Sequence, residues 1–164
     1  MPRRSFRIGR SFTGFGLFAT RPIRKREKIA EYRGRRVSAE EAVKLERGGN
    51  RYLYEINSCV TIDGKARNNL ARYANHSCNP NSEAYVYDGR IFFRALRHIK
   101  PGEEITHHYG NAYLRYIIGR SRCRCSRCRR RRARRQREAR ALKKRRTVRL
   151  ARERRLARKS RRSA

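Results

Sequence analysis

Apolar and polar positions alternate in short runs along the first 118 residues, and glycine and proline punctuate the runs. Residues 15–20 are apolar beside Gly14 and Gly16, and residues 28–33 alternate Ile29, Glu31 and Tyr32 before Gly34. Residues 52–56 and 60–62 are rich in aromatic and β-branched side chains. All four read as strands. Residues 83–87 and 90–96 flank Asp88-Gly89, the pair favoured by type I′ hairpins because both central positions need positive φ. Pro101-Gly102 is a further turn, leading into a strand at 103–107. Residues 38–47 have a helical pattern. Ser38 is a good N-cap, Glu41 completes a capping box, Ala42, Val43 and Leu45 give a modest apolar face, and Gly48-Gly49 ends the helix. Residues 111–118 suit a short helix. The expected domain is α+β and β-rich, without the regular alternation that would build a parallel sheet.

After residue 128 the pattern breaks. Arg, Lys, Ala and Leu dominate, Gly and Pro vanish, and Leu142, Val148, Leu150 and Leu156 make no continuous stripe. Propensity favours helix there, while like-charge repulsion opposes it. The expectation is disorder in free solution and helix on a polyanion. Of the chain's net charge of +34, residues 129–164 carry +18, from 20 Arg or Lys against Glu138 and Glu153. Arg129, Arg130, Arg131 and Arg132, with Lys143, Lys144, Arg145 and Arg146, form its densest clusters. Such a balance implies DNA or another nucleic acid as partner. No motif for reading bases is visible, so backbone contact is the expected mode.

No apolar run reaches 18 residues, so no membrane span is expected. An anionic membrane surface ranks second to nucleic acid as partner of the basic tail, and the tail's shortage of large apolar residues argues against it, so no membrane partner is expected. The basic start, Met1-Pro2-Arg3-Arg4, is not followed by an apolar signal core. The expected location is intracellular: the nucleus or chromosome in a eukaryote, the cytoplasm or nucleoid in a bacterium. There are five cysteines, and Cys123, Cys125 and Cys128 lie within six residues. An odd number in such a chain argues for metal rather than a disulfide framework.

Four segments carry the chemistry, in this order: Thr13-Gly14-Phe15-Gly16; Glu31-Tyr32-Arg33-Gly34; residues 72–81, Arg-Tyr-Ala-Asn-His-Ser-Cys-Asn-Pro-Asn; and residues 102–110, Gly-Glu-Glu-Ile-Thr-His-His-Tyr-Gly. The C-x-C-x2-C run of Cys123, Cys125 and Cys128 follows. Together they resemble the SET-domain protein-lysine methyltransferases with a post-SET zinc-binding segment. The resemblance covers about residues 6–128, and its most specific part is the Asn-His-Ser-Cys-x-Pro-Asn string.

The resemblance implies a SET fold of small sheets with a knot-like threaded segment, followed by the basic tail. It divides the chain into a SET domain at 5–118, a post-SET segment at 119–128 and an Arg-rich tail at 129–164. It implies S-adenosylmethionine as methyl donor, contacted by Thr13, Gly14, Phe15, Gly16, Tyr52, Asn75 and His76. Tyr109 takes the catalytic position. Tyr32, Tyr54 and His107 line the lysine channel. Cys78 joins Cys123, Cys125 and Cys128 around a structural zinc ion. The implied function is methyl transfer to the side-chain amine of lysine in a basic protein substrate, with histones or histone-like DNA-packaging proteins foremost.

The sequence also departs from the family. Phe or Tyr followed by Asp usually precedes the catalytic tyrosine; here His107 and His108 stand there. The first of these positions tunes how many methyl groups fit. Imidazoles titrate near neutrality when unperturbed, so pH-sensitive activity is an expectation. The last two post-SET cysteines are also closer together than the family's usual spacing. The alternative these departures support is a nucleic-acid-binding or architectural protein with a catalytically degenerate SET fold.

Overall fold

The computed structural model describes residues 4–160. The chain divides into two compact units, at 1–125 and 126–164. The last four residues of the expected tail, 161–164, lie outside the described part.

The first unit is α+β and β-rich, built from three small sheets. β1 (Phe6–Ser11) and β2 (Gly14–Ala19) form a tight hairpin, with Ser11 opposite Gly14 and Phe6 opposite Ala19. Gly14 turns the corner at φ +116, a left-handed conformation open to glycine. β2 also pairs with β10 (Glu104–His107), which in turn runs parallel to the two-residue β7 (Asn75–His76). The order in this sheet is β1-β2-β10-β7. The second sheet has the order β3-β9-β8, from β3 (Lys28–Tyr32), β8 (Ser82–Tyr87) and β9 (Arg90–Ala95). Asp88 and Gly89, at φ 48 and 59, make the expected type I′ turn between β8 and β9. The third sheet has the order β4-β6-β5, from β4 (Arg35–Ser38), β5 (Leu53–Glu55) and β6 (Val60–Asp63).

The sheets share one core. Leu17, Ile23, Ile91, Phe93, Ile99 and Ile105 are completely buried there. β9 buries Ile91, Phe92 and Phe93 in succession, so both its faces are covered. Helix α1 (Ala39–Arg47) lies at the surface and fully buries no residue. The Ser38 hydroxyl accepts from the Glu41 amide at 3.2 Å, as the cap predicts. The reciprocal half of the capping box does not form, because the Glu41 carboxylate pairs with Arg35 at 2.6 Å. At the other end of the helix Gly49, not Gly48, takes the positive φ.

Buried asparagines hold the irregular segments in place. Asn81 donates to Glu103 Oε1 and the Glu104 carbonyl and accepts from the Thr106 amide. Asn69 accepts from the Arg33 amide and donates to the Gly64 carbonyl. Each satisfies backbone groups that no strand partner reaches.

The expected short helix at 111–118 is a π-helical turn over Tyr113–Ile118. The second unit is helix α2 (Ser126–Ser160), which begins three residues before the expected tail. Disorder was expected in free solution, but the segment is helical. Its Ala, Leu, Arg and Lys content favours helix, and the pairs Arg134–Glu138 and Arg149–Glu153 sit at the supporting i,i+4 spacing. Leu142, Val148 and Leu150 are exposed, in keeping with the missing apolar stripe.

Asn81→Ala strands the Thr106 amide in the core. It is expected to lower the unfolding free energy by about 1–3 kcal/mol in urea denaturation.

Candidate functional site

Tyr109 follows β10, and its hydroxyl donates to the Ala74 carbonyl at 3.0 Å, just before β7. The parallel β7–β10 pairing aligns these segments, and the Ser77 amide extends it by donating to the His107 carbonyl at 2.9 Å. Burial, with the nearby Tyr113 and Tyr52 phenols, pushes the Tyr109 hydroxyl well above the ordinary tyrosine range. It stays protonated, and with its proton committed to Ala74 its oxygen lone pairs serve as acceptors.

Three hollows meet at Tyr109. The first is an aromatic cavity of about 220 Å3, walled by Tyr32, Tyr52, Tyr54, Ala74, His107, Tyr109 and Tyr113. Tyr32 and Tyr54 lie 5.5 Å apart by ring centroids, and Tyr113 meets Tyr109 edge-on at 5.4 Å. Tyr32 is fixed by its hydroxyl, which donates to the Tyr52 carbonyl at 2.9 Å. Gly64 presses on the same ring: a Cβ there would lie 2.4 Å from Tyr32.

His107 belongs to this cavity. Its ring lies 4.5 Å from Phe93, 4.8 Å from Tyr109 and 6.2 Å from Tyr54. Its Nδ1 is buried without a hydrogen-bond partner among the described residues. Burial, reinforced by neighbouring His76, pushes its pKa down to about 3. The expectation that His107 titrates near neutrality is therefore corrected: it is neutral throughout the physiological range.

The second hollow, about 370 Å3, lies on the other side of Tyr109. Thr13, Asn75, His76, Ile118, Arg122 and Arg124 line it. Asn75 ties it to the glycine hairpin, donating to the Phe15 carbonyl at 2.9 Å and to Glu104 Oε1 at 2.7 Å. Gly16 is needed for this fit, since a Cβ there would lie 2.6 Å from Glu104 and 3.1 Å from the Asn75 amide. The structure thus brings Thr13, Gly14, Phe15, Gly16, Asn75 and His76 together. These groups fit S-adenosylmethionine: two guanidinium groups suit its carboxylate, and the asparagine carbonyl and hairpin backbone suit its polar edges. Tyr52, expected on this side, stands in the aromatic cavity with the Arg72 guanidinium 3.7 Å over its ring.

The third hollow is an outer cleft of about 700 Å3, reaching Tyr54 and Tyr109 from the surface past Tyr116 and Ile117.

Beside the second hollow, one ligand atom each from His76, Cys78, Cys123 and Cys125 lie within 4.8 Å of one another. Cys78 and Cys123 sulfurs are 3.8 Å apart, and His76 Nε2 is 3.3 Å from Cys78. Sulfurs around tetrahedral zinc are separated by about 3.8 Å, so this donor set fits that ion. Cys128, expected with Cys78, Cys123 and Cys125 around the ion, stands in the first turn of α2, in the second unit.

Sequence reasoning missed several of these residues. Gly64 and Ala74 act through backbone position, which no side-chain motif signals. Arg122 and Arg124 were hidden in a generally basic stretch. Tyr113 had a signal, an aromatic four residues after Tyr109 in a turn read as helical.

Comparisons with known proteins agree with this geometry. Residues 14–110 match the SET domain family. The chain is 36% identical over 134 residues to histone-lysine N-methyltransferase Set2 of Drosophila melanogaster, covering 76% of this chain and 6% of that protein. It is 35% identical over 117 residues to histone-lysine N-methyltransferase mes-4 of Caenorhabditis elegans, covering 58% of this chain and 13% of that one. Among solved structures, ctPRC2 in an autoinhibited conformation bound to S-adenosylmethionine superposes with a TM-score of 0.60 at 28% identity, over 73% of this chain and 17% of the other. The chain therefore spans only a small part of these larger relatives. Strand β2 with Gly14 and Gly16, the Asn-His segment and the buried phenol lie inside the matched region, and the chain belongs to the SET domain family.

Proposed function

We propose that this chain is a protein-lysine N-methyltransferase, using S-adenosylmethionine to methylate a lysine amine in histones or histone-like DNA-packaging proteins. The observation that carries this reading is the single phenol, Tyr109, shared by the cleft beside the glycine hairpin and the aromatic cavity. The hairpin cleft, with Asn75, Arg122 and Arg124 in its lining, suits the donor, and the aromatic cavity suits an alkylamine.

The donor supplies an electrophilic methyl on a positively charged sulfur. The chain's residues do the rest by placement. Lysine is nucleophilic only when neutral, and its free pKa is about 10.4. The walls of Tyr32, Tyr54 and Tyr109 strip water from the ammonium and favour loss of its proton. Alignment of the two reactants is worth several kcal/mol or more. The Tyr109 oxygen accepts weak C–H···O contacts from the polarised methyl. A phenol held this far above its ordinary pKa acts as a fixed dipole and not as the base.

The buried His107 ring forms part of the cavity wall, where its bulk bears on the space a further methyl would need. His107 is therefore the residue proposed to limit methyl number. Zinc is proposed to tie Cys123 and Cys125 to Cys78, with Cys128 as fourth ligand; His76 is the other candidate for that place. The basic helix is proposed to hold the protein on nucleic acid in chromatin, through Arg129, Arg130, Arg131, Arg132, Lys143, Lys144, Arg145 and Arg146. No helix among the described residues is long and apolar enough to cross a membrane.

Tyr109→Phe is expected to lower kcat by about a hundredfold or more while leaving donor binding by calorimetry within a few-fold. Wild-type turnover would remove Tyr109 from the reaction. His107→Phe is expected to shift products toward higher methylation states in mass spectrometry. Metal analysis is expected to find one zinc per chain, Cys125→Ser should abolish it, and comparing Cys128→Ser with His76→Gln identifies the fourth ligand. Ending the chain at residue 128 should preserve transfer to a short peptide and flatten the salt dependence of DNA binding.

A further inference from the structure

In a chain with 47 Lys and Arg, the 13 acidic residues are informative, because almost every one has a visible role. Glu27, Glu31, Glu41, Glu83, Glu103, Glu138 and Glu153 are ion-paired to arginines. Glu104 accepts from Asn75, and Asp63 accepts from Asn50. Glu40 lies in the first turn of α1, where a carboxylate complements the helix dipole. Asp88 takes the left-handed turn position. Two remain. The Glu46 and Glu55 carboxylates make no ion pair or hydrogen bond among the described residues, and both are exposed.

These two share one place. Glu46, at the end of α1, and Glu55, next to Tyr54 on β5, both line the outer cleft that reaches Tyr109. Both also line a groove of about 310 Å3 between α1 and the third sheet, together with Leu53 and Val43. They form the ridge between the cleft and the groove. The local apolar surface is Leu53, Tyr116 and Ile117.

We infer that Glu46 and Glu55 select substrate segments carrying an arginine or lysine beside the methyl-accepting lysine. This rests on the lysine-methyltransferase reading and adds a sequence preference to it. The argument is charge complementarity. The molecule's net charge repels a basic peptide, and the Glu46 and Glu55 carboxylates, which make no ion pair among the described residues, supply a local attraction at the outer cleft beside Arg51, whose guanidinium donates to the Glu46 carbonyl. A neutral or acidic segment gains nothing there. A basic side chain beside the lysine forms charge-assisted hydrogen bonds while the apolar stem of the lysine enters past Tyr54.

The test uses the full chain and three peptides identical except that the accepting lysine is flanked by arginine, alanine or glutamate. The ratio of kcat/KM for the arginine peptide over the alanine peptide is expected to be about tenfold or more, and to shrink with added salt. In the double variant Glu46→Gln, Glu55→Gln the ratio falls toward one, while Glu40→Gln, on the same helix, keeps it. Equal turnover of the arginine and alanine peptides by the wild-type protein overturns the inference even if no variant folds. Persistence of the ratio in the folded double variant also overturns it. Transfer to none of the peptides, nor to mixed histones, overturns the methyltransferase reading itself, and the inference falls with it.

Discussion

A tyrosine hydroxyl has one proton to give, and Tyr109 gives its proton to the Ala74 carbonyl. That bond joins two stretches 35 residues apart, and most of the site depends on it. Ala74 leads into Asn75 and His76, which line the cleft beside the glycine hairpin. His107 precedes Tyr109 and faces the aromatic cavity. Fixing the phenol therefore fixes both hollows relative to each other. The short parallel pairing of β7 with β10 provides the register, and Asn81 secures β10 from the other side. The methyl-transfer reading proposed above needs two reactants in line, and this arrangement would set the line through a buried phenol anchored on main chain.

The polar groups of the first unit divide into two kinds. Structural ones are satisfied: Asn69 and Asn81 are buried, and each bonds to backbone on both sides of its amide. The unsatisfied ones lie at the hollows. His107 Nδ1 faces the aromatic wall, and the carboxylates of Glu46 and Glu55 stand at the outer cleft. Leaving a buried polar atom without a partner costs about 1–3 kcal/mol. The buried His107 Nδ1 carries that cost, whereas the exposed carboxylates are hydrated and do not.

Much of this was legible in the sequence. The Asp88-Gly89 turn, the Ser38 cap and the strands at β2, β3, β8 and β9 follow from local patterning, because each depends on residues within a few positions. The meeting of Gly16, Asn75 and Tyr109 was legible only through the resemblance, since no local rule predicts a parallel contact between such short segments. β1 and β4 escaped notice because Arg7, Arg10, Arg35 and Arg36 break their alternation. The histidines illustrate the limit most clearly. Sequence shows two adjacent imidazoles, but only burial distinguishes His107, enclosed by Phe93 and Tyr109, from a group that titrates in the neutral range.

The two-residue strand β7 has a kinetic consequence. Its pairing with β10 closes a loop of about thirty residues in return for a handful of hydrogen bonds. Contacts of that kind form late in folding, after the hairpins β1–β2 and β8–β9 have lowered the entropy left to lose. During synthesis, the ribosome must release Tyr109 before either hollow can exist, so the nascent domain stays inert until its last strand has docked.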